Sequence, residues 1–235
     1  MDPGSSHLEW RLLSWILGFE LGLQLSWGVA HPTFRRQFRK LIKEHNPSII
    51  ALFETHTSGA NSDKIIKSFG FDNSFRVEAQ GFSRGIWILW NTSVEVKITK
   101  VAPLFSFLHI AIRKHLWDML SNLKPSNYEP WILGGDFNCI LRNEDRLGGN
   151  LNNKGCSKVF NDIVFKNALK EVDYQGQQFT WRRGNLWQRL DRCLMNLRLE
   201  NLHPNSEVIN LEHIGSDHSP LLLRTLAQPT TKKNK

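Results

Sequence analysis

Four polar stations in this 235-residue chain carry side chains suited to metal or phosphate chemistry, and each stands at or near the end of an apolar run. Glu54 follows Ile49-Ile50-Ala51-Leu52-Phe53. Asp136 and Asn138 follow Trp131-Ile132-Leu133-Gly134-Gly135. Asp191 sits within Arg189-Leu190-Asp191-Arg192, and Asp217 adjoins His218 in Ser216-Asp217-His218-Ser219-Pro220. Strand ends often converge at one edge of a sheet, so acids distant in sequence can meet there. Carboxylates gathered in that way would bind a hard cation such as Mg²⁺, which prefers oxygen ligands and keeps waters for a substrate phosphate. A neighbouring histidine would transfer a proton or steady a phosphate oxygen, and metal and donors together would stabilise charge building on the phosphoryl group. Taken singly, each station has a plainer reading. Glu54 would be a solvated loop acid, Asp217-His218 a surface contact or helix cap, and Asp191 an ion-paired acid between two arginines.

The elements that must position these groups are legible in outline. Phe34, Phe38, Leu41 and Ile42 recur at helical spacing within His31–Asn46, with Arg and Lys on the other face. Pro32 suits a first turn, and Asn46-Pro47 ends the helix. The run 48–53 then reads as a buried strand closing at Glu54. A helix is expected over Ser62–Phe69, a strand over Phe71–Glu78, and a second apolar strand over Gly85–Trp90. Alternation in Val94–Ile98 makes that segment the hairpin partner of Gly85–Trp90. A helix over Ile110–Leu123 precedes the strand ending at Asp136. Ser157–Ala168 reads as a helix and Gln178–Trp181 as a short strand. Over Leu186–Asn196 the spacing of Leu190 and Leu194 puts both on one face without fixing the element, and Val208–Leu211 and Leu221–Leu223 are strands flanking His218. Helices and strands are mixed without strict alternation, which favours layered α/β with mixed or antiparallel sheets over a doubly wound parallel sheet.

Composition sets the wider bounds. Forty per cent hydrophobic residues and 22% charged is globular composition, sufficient for a substantial core in one domain. The formal net charge of +8 favours an acidic partner, nucleic acid first among these. Part of that excess lies in the tail Lys232-Lys233-Asn234-Lys235. Three cysteines, Cys139, Cys156 and Cys193, are odd in number and widely spaced, so neither a disulfide framework nor a structural zinc site is indicated. A reducing, intracellular compartment follows, and nuclear placement would suit a DNA substrate. The segment Trp10–Ala30 is strongly apolar. Arg11, Glu20 and Gln24 interrupt it, where a spanning helix wants about 20 nearly uninterrupted apolar residues, and no basic cluster precedes it as in a signal peptide. No stable membrane insertion is expected.

The order of the stations, ET at 54–55, GDFN at 135–138, RLD at 189–191 and SDHSP at 216–220, resembles the endonuclease/exonuclease/phosphatase (DNase I-like) superfamily. The wording between them sharpens the likeness. HPTFRRQFRKLIKEHNPSIIALFETHTSG, GFSRGIWILWN, EDRLGG, FTW and QRLDR are similar to endonuclease domains of plant non-LTR (LINE-type) retrotransposon proteins. The resemblance implies a four-layer α/β sandwich, two packed mixed β-sheets flanked by helices. It would occupy residues 24–226, after an apolar extension at 1–23 and before a basic tail at 227–235. It further implies that Glu54 and Asp217 bind Mg²⁺ or Mn²⁺, and that Asp136 orients or deprotonates the attacking water. Asn138 would hold the scissile phosphate, His218 would contact it, and Asp191 would keep the imidazole in its productive tautomer. Arg182, Arg183, Arg189 and Arg192 would supply phosphate contacts along a nucleic-acid groove. The expected function is metal-dependent hydrolysis of DNA phosphodiester bonds by a monomer.

Two departures stand against the family pattern. Its first strand ends in an Asn that helps hold metal and phosphate, whereas here Ser26-Trp27 runs straight into Gly28-Val29-Ala30-His31-Pro32. Its middle strand carries a Tyr that reaches the phosphate. Between Lys97 and His115 this chain has no Tyr, and Tyr128 and Tyr174 fall elsewhere. These losses would weaken catalysis, and with the retroelement-like wording they point to a truncated or degenerate family copy. Two further functions therefore stand beside the nuclease: a catalytically silent nucleic-acid-binding or relic domain, and a phosphatase of a small phosphorylated substrate.

Overall fold

The computed structural model describes residues 29–53, 55–79, 85–93, 96, 129–149, 158–214 and 217–225. Most of the apolar N-terminal segment, the helix expected over 110–123, the segment 98–114 and the basic tail lie outside the described residues. The first elements are α1 (Pro32–His45), β1 (Ile49–Phe53), α2 (Gly59–Lys67), β2 (Asn73–Val77) and β3 (Ile86–Trp90). Next come β4 (Ile132–Asp136), β5 (Arg146–Leu147), α3 (Lys158–Lys166), β6 (Leu169–Glu171), β7 (Tyr174–Gly176), β8 (Trp181–Arg183) and β9 (Leu186–Gln188). The chain continues through β10 (Asp191–Asn196), α4 (Leu197–Leu202), β11 (Glu207–Asn210) and β12 (Leu221–Arg224).

Helix α1 forms where its sequence says it should. His31 caps it, its Nδ1 accepting from the Thr33 N–H at 3.3 Å, and Pro32 occupies the first turn, where its missing N–H costs nothing. Asn46 ends it in the left-handed conformation at φ 44°, its N–H returning to the Ile42 carbonyl at 2.8 Å. The apolar stripe of Phe34 and Phe38 is buried. Phe34 stacks on Phe38 at 5.1 Å, and Phe38 meets Phe69, beyond the end of α2, edge-on at 5.0 Å. Beneath them lie the cross-strand pairs Ile50 with Leu89 and Leu52 with Trp87. Ala51, Phe53 and Ile88, on the other face of β1 and β3, are buried as well. A sheet buried on both faces needs a layer on each side, which is the layered α/β class the sequence predicts.

Among the described residues, strands hydrogen-bond in four groups of three: β1-β3-β2, β4-β10-β6, β12-β11-β7 and β5-β9-β8. Every pairing is antiparallel except that of β7 with β11. Strand β3 is central, with β1 on one edge and β2 on the other along its whole length. The hairpin expected between Gly85–Trp90 and Val94–Ile98 is therefore corrected, because both edges of β3 are already taken. The segment Leu186–Asn196, whose element the sequence leaves open, forms β9 and β10. A spacing of four fits two turns of period-2 alternation as well as one helical turn, so Leu190 and Leu194 alone did not discriminate.

On β10, Asp191, Cys193 and Met195 fall on one face by alternation. Cys193 and Met195 join Val172, Leu199, Val208 and Leu221 in a buried cluster between β10 and the β11–β12 pair. Asp191 sits at the end of this apolar face, beside the point where the chain carrying His218 enters β12. Two glycines are required by the path nearby. Gly135, within β4, has φ 133°, and a Cβ on Gly148 (φ 77°) would lie 2.0 Å from the Asn185 carbonyl oxygen. Burial also pushes the Cys193 thiol up to about 12. Among the described residues no helix is long and apolar enough to cross a membrane.

Candidate active site

Strand β4 runs out at Asp136 and β10 begins at Asp191, and the antiparallel register sets these two residues directly opposite each other. Both are buried, at 4% and 0% exposure. Like charges facing across a ladder repel, so a buried pair of carboxylates needs a compensating partner. Immediately after Asp136 the chain turns sharply. Asn138 takes φ 49°, and its N–H donates to Asp136 Oδ1 at 2.7 Å. This turn fixes the Asp136 carboxylate and leaves the Asn138 side chain exposed.

His218, 3% exposed, brings Nδ1 to 2.9 Å from Asp191 Oδ2. With Nδ1–H donating to the carboxylate, the neutral ring carries its acceptor lone pair on Nε2. The ligand atoms of Asp136, Asp191 and His218 all lie within 4.8 Å of one another. Asp191 Oδ1 is buried and accepts no hydrogen bond. An unpaired carboxylate oxygen at full burial is costly unless a cation or donor meets it. That orphaned oxygen, together with the hard-oxygen donor set, fits a divalent metal ion.

A short strap sets the separation between Asp191 and His218. The buried Thr180 hydroxyl accepts from the backbone N–H groups of Leu190 (3.0 Å) and Asp191 (2.9 Å). On its other side, the Thr180 carbonyl accepts from Ser219 N at 2.7 Å, Trp181 bridges to His218, and Arg182 N donates to the Asp217 carbonyl at 3.0 Å. The Trp181 indole N–H reaches Asp217 Oδ2 at 3.0 Å, and its ring lies 6.3 Å from that of His218. Phe179-Thr180-Trp181 is thus the piece that ties the Asp191 strand to the Asp217-His218 dipeptide. Sequence reasoning noted this tripeptide but gave it no role. A small hydroxyl residue wedged between two aromatics, just ahead of β8, was the available signal.

The sequence-predicted residues separate into groups. The structure brings Asp136, Asp191 and His218 together, with Asn138 at the adjoining turn. Asp217 is exposed, stands outside that group, and is bonded to Trp181. Glu54 lies outside the described residues. Arg182 and Arg183 are exposed on β8, the Arg182 guanidinium resting 4.2 Å over the Trp187 ring.

Arg189 and Arg192 depart from the expected groove role. They are 1% and 0% exposed, and alternation puts Arg192 on the face of β10 opposite Asp191. Arg192 donates to Glu171 Oε1 at 3.0 Å and Asp145 Oδ2 at 3.1 Å. Arg189 lies over Tyr174, 3.4 Å from the ring centroid, with Nη2 3.0 Å from Glu171 Oε1 in an ion pair. Burial pulls the Arg189 guanidinium below its usual range while Glu171 pulls it back. So placed, neither arginine reaches a phosphate on the surface. Both instead pair with Glu171 of β6, and Arg192 also with Asp145 of EDRLGG.

The model of the Endonuclease/Exonuclease/phosphatase family matches residues 21–218. No curated protein sequence matches the chain. Among solved structures, the AP endonuclease LMAP from Leishmania major shares 14% identity over 85% of each chain, with a TM-score of 0.57. The endonuclease domain of TRAS1, a telomere-specific non-LTR retrotransposon, shares 13% identity over 85% of this chain and 95% of that one, with a TM-score of 0.54. The Neisseria 3′ phosphatase NExo, solved bound to product DNA hairpin, shares 15% identity over 82% of this chain and 94% of that one, at 0.56. Likeness at such identities establishes the fold, the α/β sandwich of the DNase I-like type. The family match runs over most of the sequence and includes every station of the site, and on that ground the chain belongs to the endonuclease/exonuclease/phosphatase family.

Proposed function

We propose that this chain hydrolyses phosphodiester bonds, with DNA as substrate and Mg²⁺ or Mn²⁺ as cofactor. The observation that carries the reading is the convergence of Asp136, Asp191 and His218, with one Asp191 oxygen buried and unbonded. Asp136 orients or deprotonates the attacking water. His218, its Nδ1 held by Asp191, presents Nε2 to the phosphate and stabilises the charge that builds there. Asn138, exposed at the turn, holds the scissile group. The buried aspartates offer oxygen ligands, and Glu54, next in sequence after β1, and Asp217 add to them. A bound divalent ion would neutralise phosphoryl charge. Arg182 and Arg183, exposed beside the strap, take phosphate contacts, in keeping with the +8 charge. The similarity to a retrotransposon endonuclease domain and to a phosphatase solved with DNA supports a nucleic-acid substrate.

A second reading, a silent nucleic-acid-binding domain, is favoured by the absence of the family's first-strand Asn from 26–32 and of a Tyr from 98–114. Nicking of supercoiled plasmid separates the two. The purified chain should nick in the presence of Mg²⁺ or Mn²⁺, and chelation should stop it. The Asp136→Ala, His218→Ala double variant should lose about 100-fold or more. Well-folded protein that nicks no faster than the double variant rejects hydrolysis and leaves the binding reading.

A further inference from the structure

The network on the far side of β10 holds one residue that bonds both to the loop after β4 and to the residues flanking Asp191. Asp145 closes the short 3₁₀ turn Asn143–Asp145. Its Oδ2 accepts from the N–H groups of Leu141 and Arg142, each at 2.9 Å, and from Arg192 Nη2 at 3.1 Å. Its carbonyl accepts from Arg189 N at 2.8 Å. One side of Asp145 therefore grips the loop that descends from Asp136 and Asn138, and the other grips the residues flanking Asp191.

The location matters because Asp136 and Asp191 form the last register pair of the β4–β10 ladder. Just beyond them Phe137 N donates to the Leu190 carbonyl at 3.0 Å. Two facing carboxylates would push this open end apart. Asp145, 6% exposed and bonded to both sides, closes it from behind.

We propose that Asp145 is a positioning residue, setting the approach of Asp136 to Asp191 and hence the geometry of the metal and water site. The proposal rests on the hydrolytic reading above and assigns Asp145 no contact with substrate. Displacements of an ångström at reacting groups are enough to lower rates about 100-fold, so the effect should fall on turnover and spare substrate affinity.

The test compares the full chain with Asp145→Asn and with the Asp145→Asn, Arg192→Met double variant. The second variant removes the buried guanidinium that the first leaves short of a partner. Plasmid nicking is measured for kcat and KM, Mn²⁺ binding by electron paramagnetic resonance, and folding by thermal denaturation. Asp145→Asn should lower kcat about tenfold or more while KM stays within about twofold. The double variant should regain part of the unfolding midpoint, Glu171 still lacking Arg192, without regaining kcat. A double variant that regains both shows that Asp145 acts on stability alone and overturns the proposal, as does unchanged kcat in Asp145→Asn. Should the wild-type chain not nick, the hydrolytic reading fails by itself, and Mn²⁺ affinity decides the positioning claim. Weakening of about tenfold in Asp145→Asn supports it, and equal affinity, or no Mn²⁺ binding by the wild type, overturns it.

Discussion

On one face of β10, Asp191 meets Asp136 and His218; on the other, Arg192 meets Glu171 and Asp145. The two residues are adjacent and equally hidden from solvent, yet their surroundings differ in kind. The Arg192 side gathers opposite charges within 3.0–3.1 Å, so its cation is neutralised in place. The Asp191 side gathers like charges, with one histidine and an unbonded oxygen. Buried charge of the first sort is bracing, whose removal leaves partners stranded. Buried charge of the second sort sets acids against each other, and a cation would relieve their repulsion. On the proposed hydrolytic reading a single strand carries scaffold on one side and chemistry on the other, and the alternation of side chains is what keeps the two apart.

That contrast can be broken from either side. Arg192→Ala should have the largest effect on stability, about 3–5 kcal/mol in urea unfolding, because the carboxylates of Asp145 and Glu171 lose a buried cation. A loss below about 1 kcal/mol would put Arg192 in the class of exposed ion pairs and dissolve the distinction. Thr180→Val should cost less, about 1–3 kcal/mol, as the N–H groups of Leu190 and Asp191 lose their common acceptor. Its nicking rate should drop further than the unfolded fraction explains, since the strap then no longer fixes Asp191 against His218. Smallest in stability is Arg182→Ala with Arg183→Ala. The double variant should melt with the wild type, but its log affinity for duplex DNA should fall less steeply with log salt, by about 0.9 for each phosphate it no longer neutralises.

Asp191 and His218 stood out in the sequence by the order of RLD and SDHSP, and Asp136 because it ends an apolar strand, and strand ends are written locally. Helix α1 was legible for the same reason: His31, Pro32 and Asn46 mark its limits within a few residues of its apolar stripe. The arginines were misplaced because sequence records charge but not burial. The partners that draw Arg192 inward stand 47 and 21 positions away, at Asp145 and Glu171, and no local pattern connects them. The hairpin expected after Trp90 failed similarly, since β1 and β2 reach β3 from earlier in the chain and occupy both its edges. Thr180 was overlooked because its contribution is a pair of backbone hydrogen bonds, which depend on where Leu190 and Asp191 come to rest.

The central claim is that Asp191 is buried for chemistry and not for support, and Asp191→Asn tests it directly. The amide keeps the size of the side chain and removes the charge. Metal-dependent plasmid nicking should fall about 100-fold or more, while the unfolding midpoint measured without metal stays level or rises, because a facing pair of buried carboxylates is relieved. Nicking that persists at the wild-type rate, or a midpoint lowered as far as that of Arg192→Ala, would contradict the account and make Asp191 part of the brace.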